Sequence, residues 1–256
     1  MQVRDFFKIS STNIMYKRII GLVLIDNGVV CRTRNFLQDY HYIEAHIDTK
    51  FFDEICFIDV TKEKNSETRI AFLRTLETLM SESQLPISIG GSISSVEDIR
   101  RYRGFGADRY LINQSSPERD DLATECINEF GRSTIISSIN HWGEYLVTNG
   151  ERTAVRVKER IEEINGNFGS ELLLNSVERD GTLTGMDGET VKHLSDFGVP
   201  SLIISGGLGR FEHALEMLGI ESVSAVCTSN IYHLTTQTIS TWRKRIRHLG
   251  GNVREV

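Results

Sequence analysis

This chain has no excess of basic residues, no long apolar run, and few cysteines or prolines; the first two absences each exclude a class of partner or location. The 256 residues include 29 lysine and arginine residues against 35 aspartate and glutamate residues, a net charge of −6. Without an excess of cations to neutralise a phosphate backbone, nucleic acid is not expected as a partner. The longest run of apolar or glycine residues, 19–25, is far below the roughly 20 residues that cross a bilayer, so no membrane span is predicted.

The start of the chain and its cysteines favour a cytoplasmic protein that holds no metal or cofactor. Residues 1–8 lack the apolar segment of a secretory signal. The four cysteines show no CxxC spacing, and Cys56 and Cys227 lie within apolar segments. We therefore expect buried free thiols rather than disulfides or a zinc site.

Short apolar segments of β-strand type recur eight times. They cover 19–25, 55–60, 86–89, 109–112, 134–139, 171–177, 201–205 and 224–228. The stretches between them are long enough for helices, most clearly over 67–80, where apolar residues recur at 70, 73, 76 and 79. This alternation predicts a parallel sheet with helical crossovers.

The strand ends reveal an internal repeat. Leu24, Asp59, Gly90 and Asn113 are each followed, 116 residues later, by a counterpart: Asn140, Asn175, Gly206 and Ser229. Two of the three prolines, Pro86 and Pro200, open the third strand of each half. The repeat predicts the α/β class and, within it, a (β/α)8 TIM barrel built from two fused half-barrels of about 15–130 and 131–246, preceded by an N-terminal arm of residues 1–14.

Glycine pairs end the third strand of each half and predict phosphate binding. The segments are Gly90-Gly91-Ser92 and Gly206-Gly207, followed one strand later by Asn113-Gln114 and Ser229. Both glycine pairs are expected to lead directly into helices, whose N–H groups would point at an anion. Because the carboxyl ends of the strands form the active face of such a barrel, we expect two phosphate sites across one mouth. A substrate with phosphate at both ends fits that symmetry.

Seven short motifs occur together, in order and at the spacing of one known family. They are Asn27-Gly28, Phe57-Ile58-Asp59, Gly90-Gly91, Ala107-Asp108-Arg109, Arg179-Asp180-Gly181-Thr182, Ser205-Gly206-Gly207 and Gly251-Asn252-Val253-Arg254. With them the chain, from about Tyr16 to its C-terminus, resembles the HisF family, the cyclase subunit of imidazole glycerol phosphate synthase. The resemblance adds Gly181 to the phosphate set. It also implies a glutaminase (HisH-like) subunit on the N-terminal face and ammonia that crosses the barrel to a bis-phosphorylated aminoimidazole precursor.

The resemblance implies two catalytic aspartates, and this chain has neither. The family's acids end the first and fifth strands, where this sequence has Leu24 and Asn140. Neither side chain can serve as a general acid or base. Asp26, Asp59 and Asp180 are the candidate substitutes. The lysine of the family's first loop corresponds to Arg32, which keeps the charge but not the shape.

The resemblance further implies a charged ring that gates ammonia at the N-terminal mouth. Its members are Arg18, Glu54, Arg109 and Glu171, with Asp108 beside them as a contact for the glutaminase. Alternating signs would let such a ring satisfy its own charges.

Three hypotheses for the function follow. A barrel that keeps the gate and anion sites but lacks the acids resembles a divergent HisF-like branch found with surface polysaccharide genes, in which ammonia reaches a separate sugar amidotransferase acting on an N-acetyl sugar. We expect this ammonia-conducting role. One alternative is the cyclase of histidine biosynthesis, yielding imidazole glycerol phosphate and aminoimidazole carboxamide ribotide through substitute acids. The other is a non-catalytic scaffold that activates a glutaminase.

Overall fold

A computed structural model describes most of the chain. The described residues are 16–42, 51–81, 83–91, 93–164, 166–195, 199, 201–229 and 239–254. The predicted arm of residues 1–14, Ser92 of the predicted phosphate set, and Pro200 lie outside the described residues.

Twelve strands occur in the described part of the chain, and eight of them close into a barrel. The strands are β1 (Arg18–Asp26), β2 (Val29–Arg34), β3 (Leu37–His41), β4 (Glu54–Asp59), β5 (Ile87–Gly90), β6 (Arg109–Asn113), β7 (Ile135–Trp142), β8 (Tyr145–Thr148), β9 (Glu151–Arg156), β10 (Glu171–Ser176), β11 (Leu202–Ser205) and β12 (Val223–Thr228). The parallel order β1-β4-β5-β6-β7-β10-β11-β12 closes where β12 pairs with β1. The predicted TIM barrel is therefore confirmed.

Helices connect the barrel strands. Within the described residues they are α1 (Ser66–Ser81), α2 (Val96–Gly104), α3 (Asp120–Phe130), α4 (Val157–Ile164), α5 (Gly188–Ser195), α6 (Phe211–Leu218) and α7 (Ile239–His248). None of these helices combines the length and apolar character needed to cross a membrane.

Helix α1 confirms the helix predicted over 67–80. Its buried residues are Phe72, Leu76 and Met80, and of the apolar residues at three-residue spacing only Leu76 is among them. Ile70 is 49% exposed. The reason is geometric, because 3.6 residues complete a turn and a strict three-residue stripe drifts around the helix, whereas a four-residue spacing stays closer to one face.

Two antiparallel hairpins extend the first and fifth barrel strands, and the sequence did not predict them. Strands β2 and β3 continue from β1, and β8 and β9 continue from β7. Asn27 (φ 49°) and Gly28 (φ 78°) form the first turn with left-handed backbone, which suits a two-residue hairpin loop. Strands β2 and β8 begin 116 residues apart, at Val29 and Tyr145, which is the offset of the internal repeat. This spacing supports the division into two half-barrels, which stays a prediction.

Strand alternation divides the apolar side chains into two clusters. The larger cluster lies between the barrel and its helices and includes Ile19, Ile55 and Phe72. The smaller one, which takes the opposite faces of the strands, fills the barrel interior. Its members are Ile20, Leu22, Leu24, Cys31, Cys56, Leu111, Ile136, Leu173, Ile203, Ala225 and Cys227.

Candidate functional site

Four charged side chains at the amino ends of the strands form a closed ring. Arg18 contacts Glu54 at 3.1 Å and Glu171 at 2.5 Å between nitrogen and oxygen, and Arg109 contacts the same carboxylates at 3.4 and 2.5 Å. Burial opposes ionisation of Glu171, but Arg18 and Arg109 outweigh it and lower the pKa of that carboxyl. Each charge thus has two partners of opposite sign, which offsets the cost of partial burial.

Hydroxyl groups that the sequence analysis missed complete this ring. Ser88 donates to Glu54, and Ser224 donates to Glu171 at 2.5 Å. Beside the ring, Asp108 is exposed and accepts a hydrogen bond from the backbone nitrogen of Ile87 at 2.8 Å. The structure therefore brings together the four predicted ring residues and puts Asp108 at the same end of the barrel.

Above the ring, the smaller apolar cluster lines the barrel interior. Two of its members are the thiols Cys56 and Cys227, and burial raises the pKa of both, so they stay neutral. All four cysteines are free and buried, which confirms that expectation. A neutral lining favours a small uncharged molecule over an ion, because an unpaired charge is costly in an apolar interior.

Leu24 and Asn140 lie near the carboxyl ends of β1 and β7, where the acids were expected. The Leu24 side chain is 6% exposed and belongs to the interior cluster. The side-chain oxygen of Asn140 accepts a hydrogen bond from Asn175 at 3.3 Å. Proton transfer of the usual carboxylate kind is therefore unavailable at both positions.

Two of the candidate substitute acids, Asp26 and Asp59, have different surroundings. Asp26 pairs with His41 at 2.9 Å. Asp59 is buried, accepts a hydrogen bond from the Thr61 backbone nitrogen at 3.0 Å, and lines a cavity. Asp59 is therefore the better placed of the two to meet a ligand.

A cavity of about 600 Å³ opens at the carboxyl ends of β4, β5 and β6. We call it the first-half cavity. It includes Gly91 and Asn113 of the predicted phosphate set. It also includes cationic side chains that the sequence analysis missed: Lys64, Arg69 and Arg119. Lys64 and Arg119 lie in loops, several residues after the ends of β4 and β6. No motif marks them as site residues; only the general rule that such loops form the active face of a barrel could have suggested them.

The predicted phosphate residues of the other half also come together, in a much smaller pocket. Gly181, Gly206, Gly207 and Ser229 line a space of about 20 Å³. The three glycines have φ angles of 70°, 98° and 88°, a backbone region that L-residues rarely adopt. We call this space the second-half pocket.

The first hairpin packs against the loop that carries the second-half pocket. Asp180, the third candidate acid, accepts hydrogen bonds from the Thr33 hydroxyl at 2.6 Å and the Phe36 nitrogen at 3.2 Å. Burial raises the pKa of Asp180, although both hydrogen bonds act in the opposite direction. A β-carbon on Gly181 would lie 2.1 Å from the Thr33 carbonyl oxygen, so this close approach requires glycine. Asp180 is therefore engaged in holding the hairpin.

Arg32 lies on β2 rather than in a free loop. Its guanidinium pairs with Asp39 on β3 at 2.6 Å and lies 5.7 Å from the ring centroid of Tyr40. Arg32, which corresponds to the lysine of the family's first loop, is thus fixed within the first hairpin.

The glycine pairs do not lead directly into helices, contrary to the prediction. Helix α2 begins at Val96 and α6 at Phe211, several residues after Gly91 and Gly207. At the start of α2, Ser95 and Asp98 form a capping box that uses backbone donors of the first turn. The α2 N-terminus is therefore already occupied by its own side chains.

Gln114 was predicted to bind phosphate, and the structure contradicts this. Its side chain is fully buried, accepts from Ser137 at 2.5 Å and donates to Asp120 at 3.2 Å. Its backbone oxygen accepts from Arg160 at 2.9 Å. Both ends of the amide are engaged between strands and helices, so Gln114 is a structural residue.

Replacing Gln114 with methionine tests this correction. The change keeps the volume but leaves the buried Ser137 hydroxyl hydrogen without its acceptor, although Gly169 still donates to the hydroxyl oxygen. We therefore expect the free energy of unfolding to fall by about 1–3 kcal/mol. Denaturant titration measures it, with exposed Gln84→Met as the matched control. Loss of anion binding without loss of stability would contradict the structural role.

In the part of the chain that the structure describes, no group of three or more histidine, cysteine, aspartate and glutamate residues could hold a metal ion.

The chain is similar to proteins of histidine biosynthesis. The model of the family described as histidine biosynthesis protein matches residues 20–238. Imidazole glycerol phosphate synthase subunit HisF of Dictyoglomus turgidum is 32% identical over 209 residues, which cover 79% of this chain and 82% of that protein. The protein of the same name from Sulfurisphaera tokodaii is 29% identical over 228 residues, 85% of this chain and 90% of that protein. The one from Dictyoglomus thermophilum is 31% identical over 209 residues, with 79% and 82% covered.

Proposed function

Since this chain belongs to the histidine biosynthesis protein family as a HisF-like member, we propose that it is the synthase subunit of a glutamine-dependent enzyme. Ammonia enters through the charged ring, and a phosphorylated acceptor binds at the carboxyl ends of the barrel strands. The observation that carries this proposal is the closed ring of Arg18, Glu54, Arg109 and Glu171 below a neutral barrel interior.

The partner in this proposal is a glutaminase subunit docked around the ring. The names of the similar proteins include the word subunit, and the exposed Asp108 beside Arg109 offers a charged contact there. A glutaminase would release ammonia at that face, and the ring would admit it while excluding bulk water.

The names of the similar proteins favour the imidazole glycerol phosphate synthase reaction as the first candidate. None of them supports the amidation of an N-acetyl sugar, which the sequence analysis expected. The anion-binding residues at both halves of the mouth suit the bis-phosphorylated precursor of the first candidate.

One observation keeps ammonia transfer without cyclisation as the second candidate. Leu24 and Asn140 occupy the positions of both expected acids, and of the three candidate substitutes Asp26 and Asp180 are engaged with the first hairpin. A subunit of this kind would pass ammonia to an acceptor bound by a separate enzyme, such as a sugar amidotransferase.

The two candidates are separated by assaying the purified chain with an ammonium salt and the bis-phosphorylated precursor. We expect formation of imidazole glycerol phosphate at a rate about 10²–10⁴-fold below that of the D. turgidum protein assayed alongside, because acid–base assistance is missing. Equal rates would mean that Asp59 or another acid has replaced the missing pair. No product at any protein concentration would reject the first candidate, and glutaminase stimulation without ammonia transfer to any acceptor would support a scaffold.

A further inference from the structure

The carboxylate of Asp26 lies beyond the position of the first missing acid. Asp26 follows Leu24 by two residues on β1, so both side chains lie on the same face of that strand. Leu24 belongs to the apolar cluster of the barrel interior. Asp26 therefore faces the barrel mouth, closer to the carboxyl end of the strand than the position that the resemblance assigns to an aspartate.

The register of the first hairpin puts His41 on this face as well. Leu24 pairs with Cys31 on β2, and Cys31 pairs with His41 on β3. Directly opposed residues of antiparallel strands point to the same face of a sheet. Cys31 is buried and also belongs to the interior cluster. The face that carries His41 is therefore the one turned toward the barrel mouth.

Asp26 and His41 form a hydrogen-bonded pair in which the two members differ in exposure. Oδ2 of Asp26 lies 2.9 Å from Nε2 of His41, and Oδ1 accepts from the Asn27 side chain at 3.0 Å. The side chain of Asp26 is 12% exposed, whereas that of His41 is 47% exposed. Asp26 is thus the sheltered member of the pair, and His41 is the member that a ligand can reach.

The second ring nitrogen of His41, Nδ1, is available for proton transfer. A neutral imidazole whose Nε2–H donates to a carboxylate has a lone pair on the other nitrogen. Within the described part of the chain, Nδ1 has no hydrogen-bond partner. Arg32 of the same hairpin pairs with Asp39, so it does not take the place of His41 beside Asp26.

We propose that His41 transfers protons when ammonia reacts with the acceptor, with Asp26 as its positioning residue. This inference rests on the proposed function, and within it on the cyclase reaction of the first candidate. When ammonia adds to a carbonyl-class carbon, the N–C bond forms and the C=O π electron pair moves to oxygen. Nδ1 of His41 takes one proton from the nitrogen, Asp26 stabilises the imidazolium, and the imidazolium then gives a proton to that oxygen. The imidazole is regenerated, and no further reactant is needed.

The pair replaces only part of what the two aspartates supply. One imidazole stands in for two carboxylates, and it reaches the mouth from the hairpin rather than from the strand position of Leu24. The chain is therefore still expected to be slower than the D. turgidum protein, and the turnover that remains depends on His41.

The test measures kcat and KM for imidazole glycerol phosphate formation from the bis-phosphorylated precursor and an ammonium salt. We expect His41→Gln to lower kcat about 10²-fold or more and to change KM less than about twofold, because it removes a proton-transfer group. Asp26→Asn keeps the imidazole but removes its counter-charge, and is expected to lower kcat about tenfold. The matched control is His248→Gln, an exposed histidine on α7.

Rescue by imidazole separates proton transfer from a structural contribution. His41→Gly leaves space at an exposed position, and added imidazole is expected to raise its kcat at least about tenfold. Unchanged kcat in His41→Gln, or a loss that imidazole does not restore in His41→Gly, would overturn the inference, with unfolding curves to check that each variant is folded. Turnover that survives in His41→Gln would reject this inference alone. No turnover in the unaltered chain would reject the cyclase reaction, and the part of His41 in it.

Discussion

The double variant Leu24→Asp, Asn140→Asp is expected to convert the bis-phosphorylated precursor and ammonia at least about 10²-fold faster than the unaltered chain, because each aspartate restores a proton-transfer group. The positions suit the purpose. Both lie near the carboxyl ends of barrel strands, and Asn175 donates a hydrogen bond to the very atom of Asn140 that would become a carboxylate oxygen. The measurement is the steady-state rate of imidazole glycerol phosphate formation with ammonium salt as nitrogen donor.

A matched control isolates proton transfer from polarity and shape. Leu24→Asn, which leaves Asn140 in place, introduces a group of aspartate's size that cannot act as an acid or base, and it is expected to give no gain. Leu24 is 6% exposed and belongs to an apolar cluster. Because both Leu24→Asp and Leu24→Asn bury a polar group there, the free energy of unfolding of each variant is measured as well. If the double variant folds and binds the precursor yet gains no rate, the missing acids are not what limits cyclisation.

Features repeated along the chain could be predicted from the sequence. The eight barrel strands are visible because each is a short apolar segment, buried on both faces, as parallel strands must be. The ring was predicted from the family resemblance, and the structure shows that Arg18, Glu54, Arg109 and Glu171 each begin a strand. Their closure into alternating ion pairs was not predictable, because it depends on side-chain directions inside a barrel.

Features that depend on tertiary context were missed or wrongly predicted. Gln114 follows a strand end and has a polar side chain, as a phosphate ligand would, but Ser137 and Asp120 take up its amide. The hairpins carry alternating and charged residues with weak apolar signal, although Asn27-Gly28 and Asn149-Gly150 are Asn-Gly pairs typical of hairpin turns. The contact between the first hairpin and Asp180 joins residues 147 positions apart along the chain, so no local sequence pattern indicates it.

The first hairpin fixes the loop that carries part of the second-half pocket. Thr33 and Phe36 hold Asp180, and Gly181, next in the chain, lines that pocket. The hairpin also contacts the chain beside the first-half cavity, because Gln38 donates to the Val60 carbonyl oxygen at 3.2 Å.

Arg109→Ala is expected to have the second large effect, on coupling between glutamine hydrolysis and amidation. Arg109 bridges Glu54 and Glu171, whose side chains are 4% and 10% exposed. Without it both carboxylates depend on Arg18 alone, and the free energy of unfolding should fall by about 3–5 kcal/mol. With the ring open, ammonia released by the glutaminase would escape to solvent. The measurement compares glutamate formed with product amidated in the reconstituted complex.

Two further variants make the coupling result interpretable even if Arg109→Ala is poorly folded. Arg109→Lys keeps one cation between Glu54 and Glu171 and is expected to retain most of the coupling, since a lysine Nζ can still contact a carboxylate although it lacks the two-pronged geometry of arginine. Arg132→Ala removes an exposed arginine that precedes β7 and, among the described residues, donates its hydrogen bonds to backbone carbonyls. This variant should leave coupling unchanged. Coupling that survives in a folded Arg109→Ala protein would mean that the ring stabilises the barrel without controlling the entry of ammonia.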